Sequence, residues 1–166
     1  MSVSLLPKAI FPALTDISAE YLQSCGIQLL MLDFDNTIVP YTTSVPTEKM
    51  AKWLYGIKGS GIKVCIVSNS HNDRVPKFCR ENGLDCITHA KKPFTKGINA
   101  CLAKYGIAAE HAALVGDQIF TDTFGSNNAG VMSILVSAID NHNIWLKLRH
   151  AAEMPFILLA SKRRVK

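Results

Sequence analysis

The feature that most constrains this chain is a repeated one: short apolar runs that stop abruptly at small polar or acidic residues. Ile27-Gln28-Leu29-Leu30-Met31-Leu32 ends in Asp33-Phe34-Asp35-Asn36-Thr37, Ile62 to Val67 ends in Ser68-Asn69-Ser70, and Ala112 to Gly116 runs into Asp117. Runs of this length without polar alternation read as strands buried on both faces. Shorter runs at Asp85 to Thr88 and Val131 to Val136 add a third and a fifth strand, Ala112 to Gly116 being the fourth.

Helical spacing fills the intervals. Met50, Trp53, Leu54 and Ile57 recur on one face before Gly59-Ser60-Gly61. Val75, Phe78 and Cys79 follow Asn72, which is placed to cap their helix, and Gly83 ends it. Further helices are predicted from about Thr95 to Tyr105 and from about Thr121 to Ala129, with a short one near Ser18 to Leu22. Strands alternating with single helices imply a parallel sheet covered on both faces. Right-handed crossovers then bring every strand's C-terminal end to one edge.

The expected fold is therefore α/β and Rossmann-like, about five parallel strands with helices on both faces. It forms a single domain over 1–166, with a core over about 26–140 and a basic C-terminal helix and tail over 144–166. At 166 residues, 48% hydrophobic and 19% charged, the chain is long enough for one domain with a real core. No apolar stretch approaches the ~20 residues that span a bilayer. The opening MSVSLLPKAIFPAL reads as a segment docked on the domain rather than a signal peptide. Five cysteines without CxxC spacing suit reduced thiols better than a disulfide frame or a zinc site.

Four polar clusters fall at one edge of such a sheet: Asp33/Asp35, Ser68/Asn69, Lys92 and Asp117/Asp122. Carboxylates crowded at ~4 Å repel by several kcal/mol at an intermediate dielectric, a pressure that a divalent cation and a lysine remove. Hard oxygen donors, small hydroxyl and amide donors and one fixed cation suit a Mg²⁺-supported reaction of a phosphate group. Taken singly, Ser68-Asn69 is also a plausible turn, Asp122 a first-turn helix residue, and Lys91 a competitor of Lys92. His71 and His89 read as loop residues, and Asn127 and Asn128 as the end of a helix with a phosphate-edge contact as the alternative.

Here the chain resembles the haloacid dehalogenase-type phosphatases. DFDNT matches their DxDxT signature, Ser68 their second motif, Lys92 before Pro93 their third, and Gly116-Asp117-Gln118-Ile119-Phe120-Thr121-Asp122 their acidic GDxxxTD motif. The phrases LDFDNTIVP, VSNS, AKKP and VGDQIFTD are similar to the small bacterial YqeG-type phosphatases of subclass IIIA, which resemble phosphatidylglycerophosphate phosphatases. The resemblance implies a strand order of 3-2-1-4-5. It makes Asp33 the nucleophile, Asp35 the acid/base, and Ser68 and Asn69 the phosphate binders. Lys92 keeps Asp33 ionised, and Thr37 orients Asp33. Mg²⁺ falls to Asp33, the Asp35 carbonyl, Asp117 and Asp122.

No large cap domain fits between the motifs, so the site faces outward, toward a large substrate. The resemblance together with that openness favours phosphatidylglycerophosphate. A soluble sugar or nucleotide phosphate is the alternative substrate, and a non-catalytic module on a ribosomal or nucleic-acid partner the alternative class. The net charge is +5, with Lys162-Arg163-Arg164-Val165-Lys166 closing the chain. Ile144, Trp145, Leu148 and Ala152 share one helical face, followed by Phe156-Ile157-Leu158-Leu159. This end reads as a helix packed on the sheet with a charged tail, or as an anchor on anionic lipid. The expected location is cytoplasmic, with a peripheral position on the inner face of the membrane; nucleic acid is not an expected partner, and no motif sets an oligomeric state.

Overall fold

The computed structural model describes residues 4–140 and, beyond them, residues 154–155 and 158–159, which are helical. Among the described residues six strands form one sheet: β1 (Ala9–Phe11), β2 (Leu29–Leu32), β3 (Lys63–Val67), β4 (Asp85–Ile87), β5 (Ala112–Gly116) and β6 (Met132–Val136). Their order is β1-β6-β5-β2-β3-β4, and every pairing is parallel. Counted from β2, the five predicted strands stand in the expected order 3-2-1-4-5.

The sixth strand is an addition to that reading. β1 is three residues between Pro7 and Pro12, too short to show a period, and its place comes from its neighbour. Ala9 pairs with Ile134 and Phe11 with Val136 along the sheet's edge, where prolines are tolerated. Asn127 clamps the approach: its amide donates to the carbonyls of Ser4 at 2.6 Å and Leu6 at 3.1 Å, and its carbonyl accepts from Ser133 Oγ at 2.8 Å. Asn127 is thus a tie for the N-terminal segment, and its amide is not directed at the phosphate edge.

The central strands explain their own composition. Along β2, Leu30 and Leu32 enter one core with Leu54, Ile57 and Phe78, while Leu29 and Met31 enter a second with Ile98 and Cys101. β3 and β5 divide the same way, Val64, Ile66, Ala113 and Val115 to one side and Cys65, Val67, Ala112 and Leu114 to the other. Successive side chains alternate faces, so a strand with a core on each side must be apolar throughout.

Between residues 4 and 140, five helices cover the sheet: α1 (Ala19–Ser24), α2 (Glu48–Gly59), α3 (Arg74–Asn82), α4 (Lys96–Tyr105) and α5 (Phe124–Ala129). Ser18 and Thr47 cap α1 and α2 by accepting from the Tyr21 and Met50 amides. Asp73, not Asn72, holds the cap position of α3, and Asn72 Oδ1 accepts from the Arg74 amide at 3.1 Å. The helix predicted from about Thr121 to Ala129 starts later than expected, because Ile119–Thr123 forms a single π-helical turn before it. The C-terminal expectations over 144–153, 156–157 and 160–166 lie outside the described residues. Among the described residues no helix is long and apolar enough to cross a membrane.

One close approach fixes α4 against the loop that carries Lys92. A Cβ at Gly97 would lie 2.5 Å from Ala90 Cβ and 2.6 Å from its Cα, and the Gly97 amide donates to the Ala90 carbonyl at 3.2 Å. Gly97→Ala should therefore lower stability in urea unfolding by about 1–3 kcal/mol. Gly56→Ala, in α2 with nothing within 4 Å, should raise it by about 0.5–1 kcal/mol.

Candidate active site

The four clusters do meet at the C-terminal edge of the sheet. Asp33 follows β2 directly, its amide donating to the Val115 carbonyl of the neighbouring strand at 2.9 Å. Phe34 turns inward, fully buried and edge-on to Phe78 at 5.2 Å, which sends Asp33 and Asp35 the other way, toward the crevice. Asp117 extends β5, and Asp122 returns to the same place on the π-helical turn, where its Oδ2 accepts the Gln118 amide at 3.2 Å. That return needs Gly116, since a Cβ there would lie 2.3 Å from Asp122 Cγ.

Lys92 is the centre of this group. Its ammonium lies 2.6 Å from Asp33 Oδ1 and 2.7 Å from Asp122 Oδ1, with its side chain 1% exposed. Lys91 is exposed, which separates the two candidates. Burial alone would lower the pKa of Lys92, but Asp122 and Asp33 outweigh it and hold the ammonium above its ordinary range. Burial above all raises the Asp33 carboxyl, Lys92 opposing it and Asp122 and Asp35 adding to it, and the net is a pKa of about 7.

The remaining predicted residues take more varied places. Ser68 is buried at the end of β3, and its Oγ accepts the Ser70 amide at 3.0 Å, leaving its hydroxyl proton available. Asn69 uses both ends of its amide on the Lys92 main chain, accepting at 2.7 Å and donating at 2.9 Å. It lines the crevice, but these partners make it a positioning residue for Lys92. Thr37, expected on Asp33, instead turns its hydroxyl to Asp117 Oδ1 at a long 3.5 Å. His71 and His89 stack edge-on at 4.1 Å on exposed loops.

Arg74 is the residue that sequence reading missed. Its Nη1 lies 2.9 Å from Asp35 Oδ1, its Nε donates to Ser44 Oγ at 3.1 Å, and its Nη2 donates to the carbonyls of Thr43 and Pro40. Its guanidinium also lies over the Phe34 ring, 5.5 Å from the centroid. One fork thus holds Asp35 and the loop around it. The signal was present: a cation at the first position of a helix opposes the helix dipole and calls for a nearby anion.

Asp33, Asp117 and Asp122 are all buried, and each offers an oxygen within 4.8 Å of the others. Three such carboxylates with one ammonium leave an excess of negative charge in a poorly solvated place. The hard-oxygen donor set fits a divalent ion of the magnesium kind. Asp35 is not in this cluster; its side chain belongs to Arg74. Asp33, Asp35, Ser68, Asn69 and Lys92 line a cavity of about 210 Å³ with Ser70, Gln118, Thr121 and Tyr41.

The model of the haloacid dehalogenase-like hydrolases matches residues 37–136, which take in Lys92, Asp117 and Asp122. The chain belongs to that family. It is 30% identical over 159 residues, 96% of this chain and 92% of the relative, to the probable phosphatase YqeG of Bacillus subtilis. Within the family it is an enzyme of the phosphatase kind. Among solved structures it is similar to a hypothetical protein of Xanthomonas campestris, with TM-score 0.57, 16% identity, and 84% and 79% of the two chains covered. It is also similar to the 3-deoxy-D-manno-octulosonate 8-phosphate phosphatase of Moraxella catarrhalis, solved with magnesium, phosphate and a sugar. There the TM-score is 0.50 at 18% identity, with 88% and 99% covered. At these identities the structures establish the shared fold.

Two outcomes follow from this geometry. The folded state holds the Asp33 proton more tightly than the unfolded chain, so without metal this group lowers stability as pH rises from about 4 to about 7. Divalent-ion binding at about pH 6 should therefore release close to one proton, and at about pH 8.5 almost none, as read by calorimetry in buffers of different ionisation enthalpy. Arg74→Ala should cost roughly 1–3 kcal/mol of stability and reduce turnover. Arg74→Lys should recover only part of both, because an ammonium cannot reproduce the fork.

Proposed function

We propose that the chain is a Mg²⁺-dependent phosphomonoester hydrolase, a single catalytic domain whose nucleophile is Asp33. The observation that carries this reading is the pairing of Asp33 with a buried lysine, inside a carboxylate cluster that opens on a small cavity. Asp33 would attack phosphorus through the oxygen that Lys92 does not hold, breaking the bond to the leaving oxygen and forming an aspartyl-phosphate. Asp35 would give its proton to the leaving alkoxide. It would then take a proton from the water that attacks the same phosphorus and frees Asp33 and phosphate.

Lys92 would hold Asp33 ionised and offset the charge that develops on the phosphoryl oxygens. The Ser68 hydroxyl would donate to one of those oxygens, and Asn69 would keep Lys92 in register. Arg74 would hold Asp35 by one oxygen and leave the other for proton transfer. Asp33, Asp117 and Asp122, with the Asp35 carbonyl, would hold Mg²⁺, which when bound neutralises the carboxylates and polarises the phosphoryl group.

For the substrate we propose phosphatidylglycerophosphate, in the subclass IIIA line that the motif phrases resemble. The size of the cavity supports a substrate of this kind. Sites that enclose a drug-sized ligand run to roughly 300–1,000 Å³, and 210 Å³ takes a phosphate group and leaves the rest of the molecule outside. The connection from β2 to α2 spans only 33–47 and inserts no cap over the edge. A location at the cytoplasmic face of the membrane accords with such a substrate.

Asp33→Asn should erase hydrolysis of generic phosphomonoesters without loss of fold, and Asp35→Asn should lower it by about 10²–10⁴-fold. A panel including phosphatidylglycerophosphate in vesicles, soluble sugar phosphates and nucleotides should show highest kcat/KM for the lipid. Wild-type protein inert on every ester with Mg²⁺ would overturn the catalytic reading.

A further inference from the structure

Between residues 4 and 140 the exposed large apolar side chains are Tyr41, Val45, Tyr55, Phe94, Phe120 and Ile139. Five of these six stand on one edge of the molecule, the exception being Tyr55 on the outside of α2. Tyr41 and Val45 are on the loop after β2, Phe94 on the loop after β4, Phe120 after β5 and Ile139 after β6. Contacts tie Tyr41 and Ile139 to this edge, and the other three are placed there by the loops that carry them. Arg74 joins the main chain around Tyr41 to Asp35, Tyr41 lines the cavity, and the Ile139 amide donates to the Asn36 carbonyl at 3.0 Å.

Single exposed apolar residues are ordinary on a protein surface. Their collection on the loops around one crevice is not, because solvation alone would scatter them over all faces. Val45 is 74% and Phe94 73% exposed, so neither serves the core. The spacing is informative as well: the five stand on four separate loops with polar residues between them. A protein interface packs a contiguous apolar centre, whereas a bilayer accepts separate insertion points, and aromatic side chains favour the level of its headgroups.

Charge points the same way. Phe94 lies between Lys91 and Lys96, both exposed, and the chain as a whole carries +5. Cations beside an apolar tip reach back to anionic headgroups while the tip enters the acyl boundary.

We propose that this apolar rim docks the catalytic edge onto a bilayer bearing anionic lipid, so that the membrane surface takes the place of a cap over the cavity. Phe94 and Val45 are the insertion points, with Lys91 and Lys96 as electrostatic partners. The proposal rests on the reading of the site as a phosphatase for a lipid-borne phosphate, and it adds how that substrate is presented.

The test uses the full chain with sucrose-loaded vesicles of phosphatidylcholine alone or with phosphatidylglycerol. Wild-type protein should sediment with the anionic vesicles, more weakly at high salt. Phe94→Ala with Val45→Ser should weaken binding by about tenfold or more per large side chain withdrawn. Hydrolysis of p-nitrophenyl phosphate by the same variant should be unchanged, since neither residue touches the cavity. Vesicle binding that is absent in wild type, or equal in the variant, would overturn the rim. So would a dimer in solution that Phe94→Ala dissociates, which would make the edge a protein interface. The two readings fail separately. Loss of the rim leaves p-nitrophenyl phosphate hydrolysis and its dependence on Asp33 intact, whereas a protein that binds vesicles but cleaves no phosphomonoester keeps the rim and loses the phosphatase.

Discussion

The ammonium of Lys92 between Asp33 and Asp122 is the interaction around which the rest of the edge is arranged. With its side chain 1% exposed it has no solvent to stabilise its charge, and the two carboxylates have little more. Any one of the three left alone would be a buried, uncompensated charge, among the costliest defects a fold can carry. Much of the nearby structure serves to hold that contact. Asn69 fixes the Lys92 main chain at both ends, Gly97 lets α4 approach the loop before it, and Gly116 makes room for Asp122.

The same contact is incomplete as electrostatics. Asp117 adds a third buried carboxylate within reach of the other two, and burial above all, with Asp122 and Asp35 beside it, raises the Asp33 pKa. A divalent ion bound among these three carboxylates would offset their excess negative charge. Asp35 stays outside the cluster, tied to Arg74 in a half-buried place. Two carboxylates one residue apart thus acquire different environments, which suits a nucleophile and an acid/base.

Much of this was legible in the chain, for reasons that can be named. The runs at Leu29 to Leu32 and Ala112 to Gly116 had to be apolar throughout because cores lie on both sides of the sheet, and that requirement is written residue by residue. Asp33 and Asp117 were legible because each follows a strand end directly, and Lys92 and Asp122 because each lies on the segment just beyond one. β1 was not, being three residues whose identity as a strand comes from β6. Thr37 and Asn69 both stand at this edge, but their partners differ from those the resemblance implies. Which atom a short polar side chain reaches depends on loop geometry that no spacing encodes.

The sequence by itself determined the layered α/β architecture and the residues at the strand ends, because period and strand-end chemistry are local properties; the order of the five main strands came with the family resemblance. Only the tertiary structure decided that Arg74 holds Asp35, that Asn127 ties down the N-terminal segment, and that Asn69 acts on Lys92. It also gathered Tyr41, Val45, Phe94, Phe120 and Ile139 onto one edge. These residues are far apart along the chain, and right-handed crossovers in a parallel sheet bring all their loops to the same side.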